Sequence, residues 1–225
     1  MPALRKRPAN TPWRAVGFCG PAVISWAERV TETASKEQLR KRLLRQIRRQ
    51  PQRVRLAKGR RIERKLHQLS LYRRARRVLC YVAFDGEVET RFLLKRMLAE
   101  GKRVAVPVPL AAGRMIAAEI SDIDRDLGTA GRFGIPHPPH PWRPIRRETL
   151  DLVIVPALAF DRQGHRLGRG RGYFDRFLAR VPRRAARVGL AFGFQVVERL
   201  PRLSHDQPVD RVITESSIHE NPHHR

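Results

Sequence analysis

Residues 151–177 read DLVIVPALAFDRQGHRLGRGRGYFDRF, and no other stretch restricts the fold as much. Leu152, Val153, Ile154 and Val155 are apolar without alternation, which suits a strand covered on both faces in a parallel sheet. Pro156 closes the run. Gly164, Gly168, Gly170 and Gly172 then punctuate a loop. A helix is expected over 173–181, stopped by Pro182. A buried strand that feeds a glycine loop and a helix belongs to a layered α/β architecture.

The rest of the chain repeats the alternation. A strand is expected over 77–84 and a helix over 90–100, where Gly101 ends it. Further strands are expected over 103–108, 114–120, 187–192 and 211–214. Upstream, Leu39, Leu43, Leu44 and Ile47 recur at helical spacing, which predicts a helix over 36–49 that starts at a capping box of Ser35 and Gln38. A second basic helix is expected over 54–72, with Ile62, Leu66 and Leu69 inward and Gly59 as a weak point. The fold class is α/β, a three-layer sandwich with a mostly parallel central sheet, Rossmann-like. Ligands of such sheets bind beyond the carboxyl ends of the strands.

One domain is expected over 35–216. Residues 1–34 are expected to be a disordered extension, or the product of a start codon placed too far upstream. Residues 217–225 read as a polar tail, so His219, His223 and His224 are not taken as metal ligands. The loop 132–147, rich in Pro, His and Arg, is no domain boundary. Arg5, Lys6 and Arg7 precede a broken apolar stretch without a cleavage site, so no export signal is expected and cytoplasmic placement is the expectation. No run of about 18 apolar residues exists, so no membrane span is expected. Cys19 and Cys80 lack metal or redox spacing.

The formal net charge is +26, and of 47 basic residues 40 are Arg and 7 are Lys. Such a surface attracts polyanions non-specifically. The arginines are spread along the whole chain, however, as a compositional bias would spread them. Aromatic residues make up 7%. No nucleic-acid-binding signature accompanies the charge, and stacking platforms are scarce.

The chemistry concentrates in the glycine loop. Spaced glycines let backbone N–H groups approach phosphate oxygens. Arg166, Arg169 and Arg171 place cations in the same loop, and guanidinium groups suit bidentate phosphate contacts. The lysine–hydroxyl pair of a Walker loop is missing, and so is the dinucleotide spacing. Asp161, Asp175 and Asp206 are equal candidates for holding a cation through oxygen. Lys36 and Arg40 share one helix face. Glu87 follows the first strand of the sheet, where its carboxylate would accept hydrogen bonds from a heterocycle.

The segment VPALAFDRQGHRLGRGRGYFDRFL resembles the signature of the 5-formyltetrahydrofolate cyclo-ligases, also called methenyltetrahydrofolate synthetases. The family's early Lys-x-x-x-Arg helix is matched at Lys36 to Arg40. Gly86-Glu-Val-Glu-Thr90, Gly101-Lys-Arg-Val-Ala-Val-Pro107 and Gly131-Arg-Phe-Gly-Ile-Pro136 follow in family order. Val188-Gly-Leu-Ala-Phe192, His205-Asp-Gln-Pro-Val-Asp210 and Thr214-Glu215 close the pattern.

The resemblance implies the roles. ATP would be bound by Lys36, Glu37, Gln38, Leu39 and Arg40 and by Arg166, Leu167, Gly168, Arg169, Gly170, Arg171, Gly172, Tyr173 and Phe174. The folate would meet Val82, Glu87 and Arg169 to Tyr173. Mg²⁺ would be held by Asp175 and Asp206. Arg169, Lys36 and Tyr173 would be the catalytic groups. The reaction implied is ATP-dependent cyclisation of 5-formyltetrahydrofolate, or its polyglutamylated form, to 5,10-methenyltetrahydrofolate by a monomer. Phe174 departs from the pattern where a second Tyr is usual, Ala157 stands for Gly and His137 for Glu. The competing classes are a nucleic-acid-binding protein, favoured by charge alone, and a sugar-phosphate isomerase on a similar sheet. The second does not account for the paired Lys-x-x-x-Arg and Gly-x-Gly-x-Gly-Tyr-Phe-Asp motifs.

Overall fold

The computed structural model describes residues 26–128 and 131–222. The basic start, Cys19, His223 and His224 lie outside them. Helix α1 (Trp26–Arg49) begins ten residues before Lys36, so the helix runs through Ser35 and no capping box starts it there. Its buried positions Leu43 and Ile47 are four apart and lie on one face. The second expected helix is two, α2 (Gln52–Gln68) and α3 (Ser70–Arg74), because Leu69 is extended at φ −75, ψ 133.

The sheet then forms from β1 (Arg77–Cys80), β2 (Arg103–Pro109), β3 (Met115–Ile120), β4 (Leu152–Val155), β7 (Ala186–Leu190), β9 (Arg211–Ile213) and β10 (Ile218–Glu220). Helix α4 (Arg91–Ala99) connects β1 to β2, and the short α5 (Ile123–Asp126) follows β3. The order is β10-β9-β7-β4-β1-β2-β3, with the five inner strands parallel and both edge strands antiparallel. The strand β10 falls in the stretch read from sequence as a polar tail. Strands β1 and β2 lie on one side of the β1/β4 contact and β4, β7 and β9 on the other. That makes the carboxyl ends of β1 and β4 the topological switch point of the sheet.

Period-two alternation sorts the core into two layers. Val78, Cys80, Val104, Val106 and Ile154 face Ile62, Leu66, Leu94 and Met97 of α2 and α4. Leu79, Ala105, Val153 and Val155 face the other way, toward Phe177 and Leu178 of helix α6 (Tyr173–Leu178). Truncating one such buried leucine to Ala costs about 2–5 kcal/mol. Gly189 of β7 is required by packing, since a Cβ there would lie 2.4 Å from the Phe160 ring.

The loop expected after β4 holds a small second sheet, β5 (Ala159–Asp161), β6 (Arg166–Leu167) and β8 (Val196–Val197). The β5–β6 turn needs Gly164, whose φ is +79 and whose Cβ would lie 2.2 Å from the Val209 carbonyl oxygen. Leu43 and Ile47 of α1 pack against Ala159 and Leu167 of this sheet and against Leu158 just before it. That contact brings the N-terminal helix beside the glycine loop. Among the described residues no helix is long and apolar enough to cross a membrane.

Candidate active site

A cavity of about 410 Å³ opens at the switch point. Its apolar wall comes from strand ends: Tyr81 and Val82 after β1, Pro107 and Pro109 of β2, and Pro156 and Ala157 after β4. Phe133 and Ile135, from the loop after α5, complete this wall. The opposite wall is charged. Lys36 and Arg40 reach it from α1, and Arg166, Arg169 and Arg171 from the glycine loop. Three carboxylates, Glu87, Asp175 and Asp206, stand among these five cations.

Each contact ties segments far apart in sequence. Lys36 Nζ donates to Asp206 Oδ2 at 2.6 Å, although the lysine is 5% exposed. Arg40 Nε donates to the Gly168 carbonyl oxygen at 3.0 Å. Gly170 sits beside that guanidinium at φ +93, a conformation open to glycine. Gly172 starts α6 at φ +64. Helix α6 spans six residues, so the arginines carry the positive potential here rather than a helix dipole.

Arg166 is the deepest cation. Its Nη2 donates to Asp175 Oδ1 at 2.6 Å, and its Nε is buried with no partner among the described residues. Burial disfavours its charge, and Asp175 and Asp206 offset that. Arg166 keeps its proton nonetheless, since guanidinium groups are not deprotonated in proteins. The Phe174 ring lies 5.9 Å from its Cζ, so the residue in place of the family's second Tyr retains ring packing.

Arg169 bridges the two walls. Its Nε donates to Glu87 Oε1 at 3.3 Å and its Nη1 to Asp85 Oδ2 at 3.0 Å. Asp85 also receives two hydrogen bonds from Arg48 of α1, both at 2.8 Å. Burial pushes the Glu87 carboxyl above the usual range, and the Arg169 charge counters part of that rise. The paired arginines hold Asp85 below it. The Tyr173 hydroxyl donates to the Leu110 carbonyl oxygen at 3.1 Å, which leaves the ring, 6.0 Å from that of Phe133, as the part free to meet a ligand.

The sites expected from sequence separate clearly. Lys36, Arg40, Val82, Glu87, Asp175, Asp206 and all of 166–174 line the cavity. Glu37, Gln38 and Leu39 do not. At 100° per residue they turn away from the face shared by positions 36 and 40. Glu37 pairs with Lys41 in solvent, Gln38 is exposed and Leu39 packs on the small core beneath α1. Asp161, a third candidate for a cation, is 1% exposed and structural. It accepts from the backbone of Gln163 and His165 at 2.9 Å each and from Leu200 at 3.2 Å. Sequence reasoning missed Asp85 and Arg48 and the lining residues Phe133 and Tyr81. Asp85 carried one signal, its place in an Asp-Gly turn at φ +49.

A profile of the 5-formyltetrahydrofolate cyclo-ligase family matches residues 32–215. The chain is 34% identical to the 5-formyltetrahydrofolate cyclo-ligase of Mycolicibacterium smegmatis, across 80% of this chain and 93% of that one. It is 28% identical to the mouse enzyme of the same name, across 84% and 97%. The solution structure of Aquifex aeolicus 5,10-methenyltetrahydrofolate synthetase superposes with a TM-score of 0.74 at 32% identity, covering 84% of this chain and 94% of that one. A Mycoplasma pneumoniae 5,10-methenyltetrahydrofolate synthetase shares the fold, at TM-score 0.66 and 20% identity over 80% and 98%.

Proposed function

The chain belongs to the 5-formyltetrahydrofolate cyclo-ligase family, and we propose that its cavity closes the ring of 5-formyltetrahydrofolate to 5,10-methenyltetrahydrofolate with conversion of ATP to ADP and phosphate. The observation that carries this reading is the Arg169–Glu87 contact, where the glycine loop meets the carboxylate on the strand-end side. One residue of the phosphate-binding type thereby touches the group suited to a heterocycle.

An N-formyl amide is a poor electrophile because resonance protects it. Transfer of a phosphoryl group to the formyl oxygen converts that oxygen into a leaving group. The second folate nitrogen then attacks the formyl carbon, and phosphate departs as the ring closes. Positioning and charge stabilisation are the protein's share of such a reaction. Lys36, Arg40 and Arg169 would hold the phosphates and offset charge on the transferred group. Arg166, with one buried N–H unused, would add a donor at the base of the loop. Glu87 would orient the pterin, and the Tyr173 ring would border it.

Asp175 and Asp206 fit a Mg²⁺ site of limited protein content. Both line the cavity, and among the described residues no three acidic, His or Cys side chains form a cage. Magnesium is commonly held by one or two carboxylates together with substrate phosphates. When bound it would neutralise phosphate charge. Lys36 and Arg166 occupy these carboxylates otherwise and would have to share them.

The test mixes purified protein with 5-formyltetrahydrofolate, ATP and Mg²⁺ and follows the near-ultraviolet absorbance of the methenyl product. ATP-dependent growth of the signal that a chelator stops supports the proposal. Folded protein that binds ATP and yields no product would overturn it.

A further inference from the structure

Away from the cavity, α2 and α4 border a shallow groove lined by Ala57, Arg60, Arg61, Glu63 and Arg64 of α2 and by Phe92 and Arg96 of α4. We propose that this groove binds single-stranded nucleic acid, with a base stacked on Phe92 and the arginines on adjacent phosphates.

Two independent observations meet here. The first is the ring. Phe92 is 55% exposed, and the one other large hydrophobic residue left exposed among the described residues is Ile218. The core does not need Phe92, because Leu93, Leu94 and Met97 fill the inner face of α4. The second is the charge. Helix α2 carries seven basic residues against one acidic, Glu63, which pairs with Arg96 across the groove at 3.4 Å, so the uncompensated charge here is that of Arg60, Arg61 and Arg64. Arg60, Arg61 and Arg64 are exposed and have no ion-pair partner among the described residues, whereas nearby Arg91 and Lys95 share Asp124. Helical spacing keeps Arg60 and Arg61 within one turn of Arg64, and places Phe92 and Arg96 four apart on one face. Like charges held this close repel one another unless a polyanion neutralises them.

The chemistry selects the partner. A single exposed ring offers no apolar core for a protein interface, which needs a desolvated hot-spot cluster. Helix α2 cannot lie in a lipid surface, because its apolar residues Ile62 and Leu66 are buried in the fold. Duplex DNA would engage the arginines through its phosphates and leave the ring unused. An unpaired strand uses both, through base stacking and phosphate contacts.

The test measures binding of a fluorescent twelve-nucleotide oligouridylate by anisotropy across a salt series, on the full chain. The triple change Arg60→Gln, Arg61→Gln and Arg64→Gln is compared with Arg180→Gln, Arg183→Gln and Arg184→Gln, an equal loss of exposed charge elsewhere. The groove variant is expected to bind at least about tenfold more weakly and to flatten the log–log salt slope by about 2, at about 0.7 per lost phosphate contact on a single strand. The control is expected to lose less than about threefold. Phe92→Ala is expected to weaken binding at least about fivefold with the salt slope unchanged, as loss of a stacked base would. All three should keep cyclo-ligase turnover, which reports folding. Equal losses in groove and control variants would overturn the proposal. So would an unaffected Phe92→Ala, or equal affinity for a duplex, or binding to anionic vesicles in place of the oligonucleotide.

Discussion

The two walls of the cavity are built by different means. The apolar wall consists of strand ends, and its residues arrive there because the sheet forms. Tyr81, Val82, Pro156 and Ala157 sit one or two positions beyond β1 and β4, so the register of a buried strand places them. The charged wall has no such scaffold. Lys36 and Asp206 are 170 residues apart in sequence, and Arg40 and Gly168 are 128 apart. Its geometry depends on paired charges and on the packing of α1 against the small β5–β6–β8 sheet. The apolar wall therefore carries most of the stability of the fold, while the charged wall sets five cations against three carboxylates, an excess of positive charge that an anion would neutralise.

The comparison breaks most severely at the point where the charged wall is also a structural element. Asp175→Ala strands the buried Arg166 charge, and removing one partner of such a pair costs about 3–5 kcal/mol. A marked fall in Tm together with loss of turnover is expected, and Asp175→Asn, which keeps an acceptor, should recover the Tm more than the turnover. An Asp175→Ala variant with wild-type Tm would show that the wall contributes no stability. Arg169→Ala should reduce kcat/KM by about 100-fold, as loss of a transition-state donor does. Its Tm should stay within a few degrees, because the side chain is 30% exposed.

Asp85→Asn is the next smaller effect. Asn tolerates the positive φ of this turn, so the change removes charge without backbone strain. Arg48 and Arg169 would lose their shared carboxylate. A fall in kcat/KM of about fivefold is expected, the modest effect of losing a partly exposed ion pair. An equal effect at high and low salt would argue against an electrostatic origin. Glu87 gives a pH signature. Its folded pKa is raised by burial, so its contribution to stability is fully present below the unfolded pKa of about 4.3 and is lost as pH rises through the folded value. Glu87→Gln removes that loss. The Tm of the variant relative to the native protein should therefore climb from pH 4 toward neutrality, while folate affinity falls. A difference in Tm independent of pH would refute the buried-charge assignment. Glu37→Ala, at the other extreme, should change ATP affinity by less than about twofold, since an exposed i,i+4 pair carries little energy. A larger change would return residues 37–39 to the nucleotide site.

These differences also explain what the sequence made legible. Unbroken apolar runs such as Leu152–Val155 announced the parallel sheet, and the glycine loop announced a cation-lined turn after it. The small sheet stayed hidden because its strands are two or three residues long, too short for any period to show. Asp161, Asp175 and Asp206 look alike in sequence. Only long-range packing separates the turn-forming Asp161 from the two at the cavity. In the sequence the run 36–40 looks like one unit, whereas a helix presents its first and last members to one side and the middle three elsewhere. The Arg48–Asp85–Arg169 link depends on three separate elements, and no local pattern encodes it.

The central claim is that one cavity takes nucleotide on its charged wall and folate at its strand-end wall. The direct measurement is the steady-state KM for both substrates in Lys36→Met and Glu87→Gln, each compared with the native protein. The account predicts that Lys36→Met raises the KM for ATP by about tenfold or more, as loss of a charged hydrogen bond does, and leaves that for 5-formyltetrahydrofolate within about twofold. Glu87→Gln is predicted to do the reverse. Parallel shifts of both constants in both variants, or the opposite assignment, would contradict it.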